Sequence, residues 1–297
     1  MTQQRVLESV LKRTALAECH EVLGAKMVNF AGWDMPLQFT RVKDEHQAVR
    51  ESVGVFDISH MGLVIVTSDD FSEALTALNH LVPQDLTKLV SGKAVYTQFL
   101  NESGGILDDI IVYQLPESNA LSPSEGFLVI CNAANTHSDV EWMTRQTQDA
   151  PVRIHHEPQY SLLALQGPRF AEVIQSVLAI QPQDLPGRFH VTSYASEYGQ
   201  IMLARTGYTG EDGVEILVAN EHARALWQKF LEQKESYGLL PVGLAARDTL
   251  RLEAAYPLHG QDITPEYTPL EAGLGWITKF SKSFINSTAL IYKFFRK

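Results

Sequence analysis

The chain has 297 residues, 45% of them hydrophobic and 20% charged, a composition that can bury a large core and fits two domains better than one. Its net charge of −11, from 24 basic against 35 acidic residues, excludes the clustered Lys and Arg of a phosphate-binding surface and with it a nucleic-acid partner. No apolar run approaches the roughly 18 residues of a membrane span, the N-terminus lacks a signal-peptide core, and Cys19 and Cys131 lack paired spacing, so the expected location is cytoplasmic, with no membrane partner.

Leu7, Val10, Leu11 and Leu16 recur at helical spacing and predict a helix over residues 6–20. Residues 24–39 are dense in aromatic and sulfur side chains, with turn residues at Gly32 and Pro36, and read as a loop lining the core or a site. A helix over 41–52 ends at Gly54, a strand over 63–67 follows, and a helix over 71–80 is stopped by Pro83. Residues 94–100 and 106–115 form a hairpin, 126–131 a strand, and 133–148 a helix with Asn132 as its N-cap. Beyond Pro151 come a strand from Tyr160, a Gly167-Pro168 turn, strands at 200–206 and 213–219 around a glycine-rich turn, and helices over 221–236 and 244–255. Short strands mixed with helices, without regular alternation, indicate an α+β fold.

The hairpin carries the first chemical signal. From Ile106 the residues alternate sides, so Asp108 and Asp109 point to opposite faces of a strand that is apolar on both. A carboxylate there needs a donor or a ligand to stay ionised. Asp108 follows a Gly-Gly turn and could simply close it, whereas Asp109, one residue deeper, reads as functional. Glu215 is a second charge inside an apolar strand, and Arg247 and Arg251 lie four apart on one helix. Two readings stand: Glu215 forms a buried ion pair with an Arg and Asp248 pairs with Arg251, or the carboxylate and guanidinium grip a planar heterocycle with an amidine-like edge. Tyr96, Tyr113 and Tyr208 could then supply stacking faces. There is no His pair at metal-binding spacing and no phosphate-binding glycine loop.

Five stretches together resemble one family: Gly24-Ala-Lys-Met-Val-Asn-Phe-Ala-Gly-Trp33, Ser52-Val-Gly-Val-Phe-Asp-Ile-Ser-His-Met-Gly62, Gly104-Gly-Ile-Leu-Asp-Asp109, Arg205-Thr-Gly-Tyr-Thr-Gly-Glu-Asp-Gly-Val-Glu215 and Gly243-Leu-Ala-Ala-Arg-Asp-Thr-Leu-Arg-Leu-Glu253. The chain is similar from about Arg13 to Leu290 to the aminomethyltransferases of the glycine cleavage system, the T-proteins. The resemblance implies a folate-binding fold of two interleaved α+β subdomains, about 1–150 and 151–275. Residues 276–297 would then be a remnant of a C-terminal β-barrel domain that is largely absent. It implies tetrahydrofolate as co-substrate, no metal, and the lipoylated H-protein as partner.

The implied reaction releases ammonia from an aminomethyl group on the lipoyl arm and forms 5,10-methylenetetrahydrofolate. Expulsion of thiolate leaves an iminium-like carbon, which a carboxylate can stabilise and from which water must be kept. By position, Asp109 matches the family's essential acid, Glu215 its pterin-binding carboxylate and Arg247 its folate arginine. Tyr208, Asn132, Tyr96 and Met61 match residues of the same pocket. A folate-dependent demethylase, or a folate-binding protein without transferase activity, are the alternatives of the same fold. The loss of a covering domain further predicts an exposed apolar patch of Ile277, Phe280, Phe284, Ile285, Phe294 and Phe295.

Overall fold

A computed structural model describes residues 10–116, 119, 121 and 125–295, with side chains beyond 292 left aside. Two antiparallel sheets face each other. The first has five strands in the order Ala94–Leu100, Ile106–Gln114, Gly126–Cys131, Gly62–Ser68 and Val152–His156. The second has six, in the order Val191–Ser196, Gly199–Ala204, Gly213–Ala219, Tyr160–Gln166, Val53–Asp57 and Leu239–Pro241, the last pair parallel. Val53–Asp57 comes from the first half of the chain but pairs with Tyr160–Gln166, which threads the two halves through one another.

Strand alternation sets the layers. Ile65, Tyr113, Leu128 and Ile130 of the first sheet meet Leu162, Met202 and Leu217 of the second in one buried cluster. The opposite face of the first sheet, with Val64, Ile110, Val112 and Phe127, is covered by the helices Phe71–Leu81 and Thr136–Gln146 through Leu78, Trp142 and Met143. The opposite face of the second, with Leu163, Ile216 and Val218, is covered by Phe170–Leu178 and Asn220–Leu231 through Ile174, Trp227 and Phe230. The result is helices, sheet, sheet, helices, an α+β architecture. The helix Leu244–Glu253 closes one end of the inter-sheet layer with Ala246 and Leu250.

Several elements differ from expectation. The expected N-terminal helix is a short strand, Lys12–Arg13, and one turn and a half of helix, Ala17–Val22, while residues 1–9 lie outside those described. The stretch read as loop is a hairpin, Lys26–Phe30 with Trp33–Gln38, hidden from periodicity because neither strand alternates cleanly and Pro36 interrupts the second. The helix expected from Ala133 begins at Thr136 with Asn135 as N-cap, and Asn132 instead offers its carbonyl to the Asn135 and Thr136 amides. That frees the Asn132 side chain for the adjacent strand.

The final segment is not the apolar patch that was expected. Ile277 and Phe284 are buried with Leu100, Ile106, Leu274 and Leu290, and Ile285 packs against the helical face of the first sheet. Trp276 (61% exposed) and Phe280 (40%) remain at the surface, whereas the side chains of Phe294 and Phe295 lie outside those described. Lys282 anchors the segment: its ammonium donates to Asn79 Oδ1 at 2.7 Å, to the carbonyls of Val82 at 2.9 Å and Gln84 at 2.7 Å, and to the Asn79 carbonyl. The three carbonyls lie at and beyond the end of the helix Phe71–Leu81, and Asn79 Oδ1 also accepts the Leu86 amide at 2.8 Å.

Candidate active site

The hairpin Ala94–Leu100 and Ile106–Gln114 turns through Asn101, whose Oδ1 accepts the amides of Ser103 and Gly105. Gly105 is required by a neighbour, since a Cβ there would lie 1.7 Å from the Pro265 carbonyl oxygen. Past this turn the alternation sends Asp108 toward the helices and Asp109 toward the second sheet. Both acids are answered, by different partners.

Asp108 is fully buried. Its Oδ2 accepts the Asn132 amide at 2.9 Å, and its Oδ1 accepts Asn132 Nδ2 at 2.9 Å and Asn135 Nδ2 at 2.6 Å. Asp139, from the helix Thr136–Gln146, and Cys131 bring oxygen and sulfur within 4.8 Å of it. Three N–H donors already occupy Asp108, so the cluster reads as a hydrogen-bonded acid pair rather than as a cation site. Burial, and then the Asp108 charge, push the Asp139 carboxyl up to about 10, which makes it the neutral acid of the pair.

Asp109 is only partly buried. Its Oδ2 accepts the Tyr96 hydroxyl at 3.0 Å and its Oδ1 accepts Asn132 Nδ2 at 2.9 Å. Asn132 therefore bridges both acids from the end of the strand Gly126–Cys131. Burial and the nearby Asp108 charge push the Asp109 carboxyl up to about 6, against the opposing pull of Tyr96, His259 and Asn132. A carboxylate titrating there is ionised at neutral pH yet able to exchange a proton. Tyr96 in turn stacks on Trp276, ring centroids 6.2 Å apart.

On the facing sheet Glu215 points into the same layer. Its Oε2 accepts Thr206 Oγ1 at 2.6 Å, Thr206 also bonds the Tyr113 hydroxyl at 3.0 Å, and Tyr113 is a further partner of the carboxylate. Glu215 and Tyr113 line a small cavity of about 20 Å³ walled by Leu128, Ile130, Met202 and Leu217. Tyr113 is thus a buried hydrogen-bonding wall rather than an open stacking face. Burial raises the Glu215 carboxyl, and Thr206 and Arg247 oppose the rise.

The ion-pair reading of the two arginines divides between them. Arg251 is buried and pairs with Asp248 at 2.8 Å and with Asp262, which fastens the loop after the helix. Arg247 makes no hydrogen bond or ion pair among the described residues; its guanidinium lies over the Tyr208 ring, 4.9 Å from the centroid. Burial lowers the Arg247 pKa and the Glu215 charge opposes that shift. Tyr208 is fixed by its hydroxyl to the Pro257 carbonyl and by stacking on Tyr256, and burial pushes it up to about 12. Glu215, Arg247 and Tyr208 thus form one group, and Asp109, Asn132 and Tyr96 a second. Tyr208 links them electrically, since its phenol feels both Arg247 and Asp109.

Met61 stands apart from both. It precedes the Gly62–Cys131 pair, next to Asn132, and lines a separate cleft with Trp33, His60 and Glu157. Sequence reasoning missed His60, a buried ring that feels the Arg247 charge and that burial pushes down to about 3. It also missed His259, whose Nδ1 lies 3.0 Å from Asn135 Nδ2, and Trp276. A His or Trp in a mixed loop gives no periodic signal, so none was available for these.

Known proteins bear on this arrangement. The model of the GCVT N-terminal domain family matches residues 16–282. An aminomethyltransferase of Flavobacterium psychrophilum is 43% identical over 281 residues, covering 94% of this chain and 75% of that protein. One from Chlorobaculum tepidum is 43% identical over 282 residues, covering 94% and 74%. Among solved structures, the glycine cleavage system aminomethyltransferase T from Bartonella henselae superposes with a TM-score of 0.84 at 36% identity, covering 96% of this chain and 75% of that one.

Proposed function

The chain belongs to the GCVT family of glycine cleavage aminomethyltransferases, and we propose how its inter-sheet site carries out folate-dependent aminomethyl transfer. The one-carbon donor is an aminomethyl group on the lipoyl arm of an H-protein, the acceptor is tetrahydrofolate, and the products are 5,10-methylenetetrahydrofolate, ammonia and the dihydrolipoyl carrier.

The observation that carries the residue assignment is that the Arg247 guanidinium makes no hydrogen bond or ion pair among the described residues, while it and Glu215, which borders a small cavity, feel each other's charge across the inter-sheet layer. Carboxylate and guanidinium together match the edge of a pterin, which presents parallel N–H donors and a carbonyl acceptor. Tyr208 packs alongside, and Asn132 and Tyr96 hold Asp109 in place. Met61, in a separate cleft, is the one residue of the family pocket that this reading does not bring to the site. Asp109 is the acid that holds positive charge at the transferred carbon and takes the proton from the attacking amine. The apolar walls keep water from that carbon. The same reading divides the chain into interleaved subdomains of about 1–150 and 151–275, with 276–297 as the start of a further unit.

Ammonia release from an aminomethyl-loaded lipoyl carrier, with and without tetrahydrofolate, tests the activity. Folate-stimulated release is expected, and folate binding without release would mark a binding protein of the same fold. For the pterin contact, Glu215→Gln places an N–H against a ligand N–H, and titration calorimetry should show folate affinity weakened by about 2 kcal/mol. An unchanged dissociation constant removes Glu215 from the pocket.

A further inference from the structure

Gln98 lies directly across from Asp109 in the hairpin register. Paired residues of an antiparallel ladder project to one face, so the Gln98 amide stands in the inter-sheet layer beside Asp109 and two residues from Tyr96. The side chain is fully buried, and neither Oε1 nor Nε2 has a hydrogen-bond partner among the described residues. A buried amide unmatched at both ends is costly beside an apolar side chain of similar volume. Thr97 and Phe99, its neighbours, face the helical layer, where Phe99 fills the core and the Thr97 hydroxyl alone is left without a partner, against both ends of the amide at position 98. The cost at position 98 therefore falls on the face that holds the reacting acid.

Two contacts say what the amide does there. Tyr96 donates to Asp109 Oδ2 at 3.0 Å. Gln98 and Tyr96 lie two apart on one strand and project to the same face, which sets the amide next to the Tyr96 phenol, although no hydrogen bond joins the two in this structure.

We propose that Gln98 is a positioning residue for aminomethyl transfer, completing with substrate in place a relay in which Gln98 Nε2 donates to Tyr96 Oη and Tyr96 donates to Asp109. The proposal rests on the reading of Asp109 as the reacting acid. Each donor in such a chain polarises the next, so the relay strengthens the bond that Tyr96 makes to the carboxylate and holds Asp109 in its charged form. The other groups facing Asp109 are Asp108 on its own strand, Asp139 from the helix behind, Asn132, His259 and Tyr208. Tyr96 is the one whose donor strength Gln98 governs.

The test is the pH dependence of kcat and of kcat/KM for the carrier in Gln98→Met, Gln98→Asn, Tyr96→Phe and the Gln98→Met/Tyr96→Phe double variant. Gln98→Met removes the amide at similar volume, and Gln98→Asn keeps it but withdraws it from Tyr96. Both should move the acid limb upward by about half a pH unit and so lower kcat roughly two-fold near pH 6 and about three-fold well below it, with the KM for tetrahydrofolate unchanged. The melting temperature of Gln98→Met should equal or exceed that of the parent. In the Tyr96→Phe background the Gln98 change should add nothing. A wild-type pH profile in both Gln98 variants, or additivity with Tyr96→Phe, overturns the relay. Full turnover in Asp109→Asn would instead overturn the acid assignment, so the two failures are told apart.

Discussion

In the proposed mechanism Asp109 sits where a small change of proton affinity would change function. With its carboxyl pushed up to about 6, kcat/KM should fall below pH 6 as the carboxylate is lost. Asp109→Asn should abolish that limb and lower kcat by roughly two to four decades, as removal of a positioned acid or base does. Equal losses in Asp108→Asn and Asp109→Asn would refute the division of labour between the two faces. Asp139 makes a different prediction, about stability. Its folded pKa, about 10, lies above the unfolded carboxyl value, so the native state holds a proton that the unfolded chain releases above about pH 4. Native stability from this group is thus fully present below the unfolded pKa and is lost as pH rises toward 10. Asp139→Asn, which mimics the neutral acid, should flatten the fall in urea midpoint between pH 5 and 9, and an unchanged slope would show that Asp139 is not the proton carrier. Asp109 and Glu215 were legible in the sequence because a charge inside an apolar strand is anomalous. Gln98 was not, because a neutral amide at one position of a half-buried strand is ordinary until its partners are counted.

The elements that carry the site are the ones whose patterns were strongest. The hairpin around Gly104 and Gly105, the strand Gly213–Ala219 and the helix Leu244–Glu253 all formed close to the expected limits, because alternation and helical spacing each repeat there several times. Val191–Ser196 was missed since Thr192, Ser193 and Ser196 give it no apolar face of its own; it exists by pairing with Gly199–Ala204. The hairpin turn shows how closely the site is braced. Gly104 has φ of +78° with only ordinary contacts around a Cβ, whereas Gly105 meets the Pro265 carbonyl. Gly104→Ala should therefore cost about 1 kcal/mol from backbone conformation. Gly105→Ala must displace the segment around Pro265 and should cost about 1–3 kcal/mol more. Chemical denaturation of both variants checks the order, and equal costs would mean that the Pro265 segment yields freely.

Across the whole molecule, the site is assembled from parts far apart in sequence. The first sheet gives Asp109, Asn132 and Tyr96, the second Glu215, a terminal helix Arg247, and the last segment sets Trp276 against Tyr96. Composition and motif order indicated this α+β assembly, but no single-strand pattern could place residues 274–290, whose apolar side chains pack individually into a cluster around Leu100 and Ile106. Hydrogen bonds from the Lys279 and Ile285 amides and the Asn286 side chain help to hold that segment, and one cation ties it to the end of the helix Phe71–Leu81. The Lys282 ammonium lies within hydrogen-bond distance of Asn79 Oδ1, which also accepts the Leu86 amide, and of the carbonyls of Asn79, Val82 and Gln84 in a partly buried place. Lys282→Met keeps the length of the side chain and removes that donor. It should lower stability by about 2–3 kcal/mol, and the released segment should withdraw Trp276 from Tyr96, so folate-stimulated ammonia release should fall although Lys282 contacts none of the site residues. Trp276→Ala separates the two effects: it should reproduce the loss of turnover with little change in melting temperature. If Lys282→Met melts and turns over like the parent, the segment is held by its apolar contacts and its other hydrogen bonds, and the anchoring role of the cation is wrong.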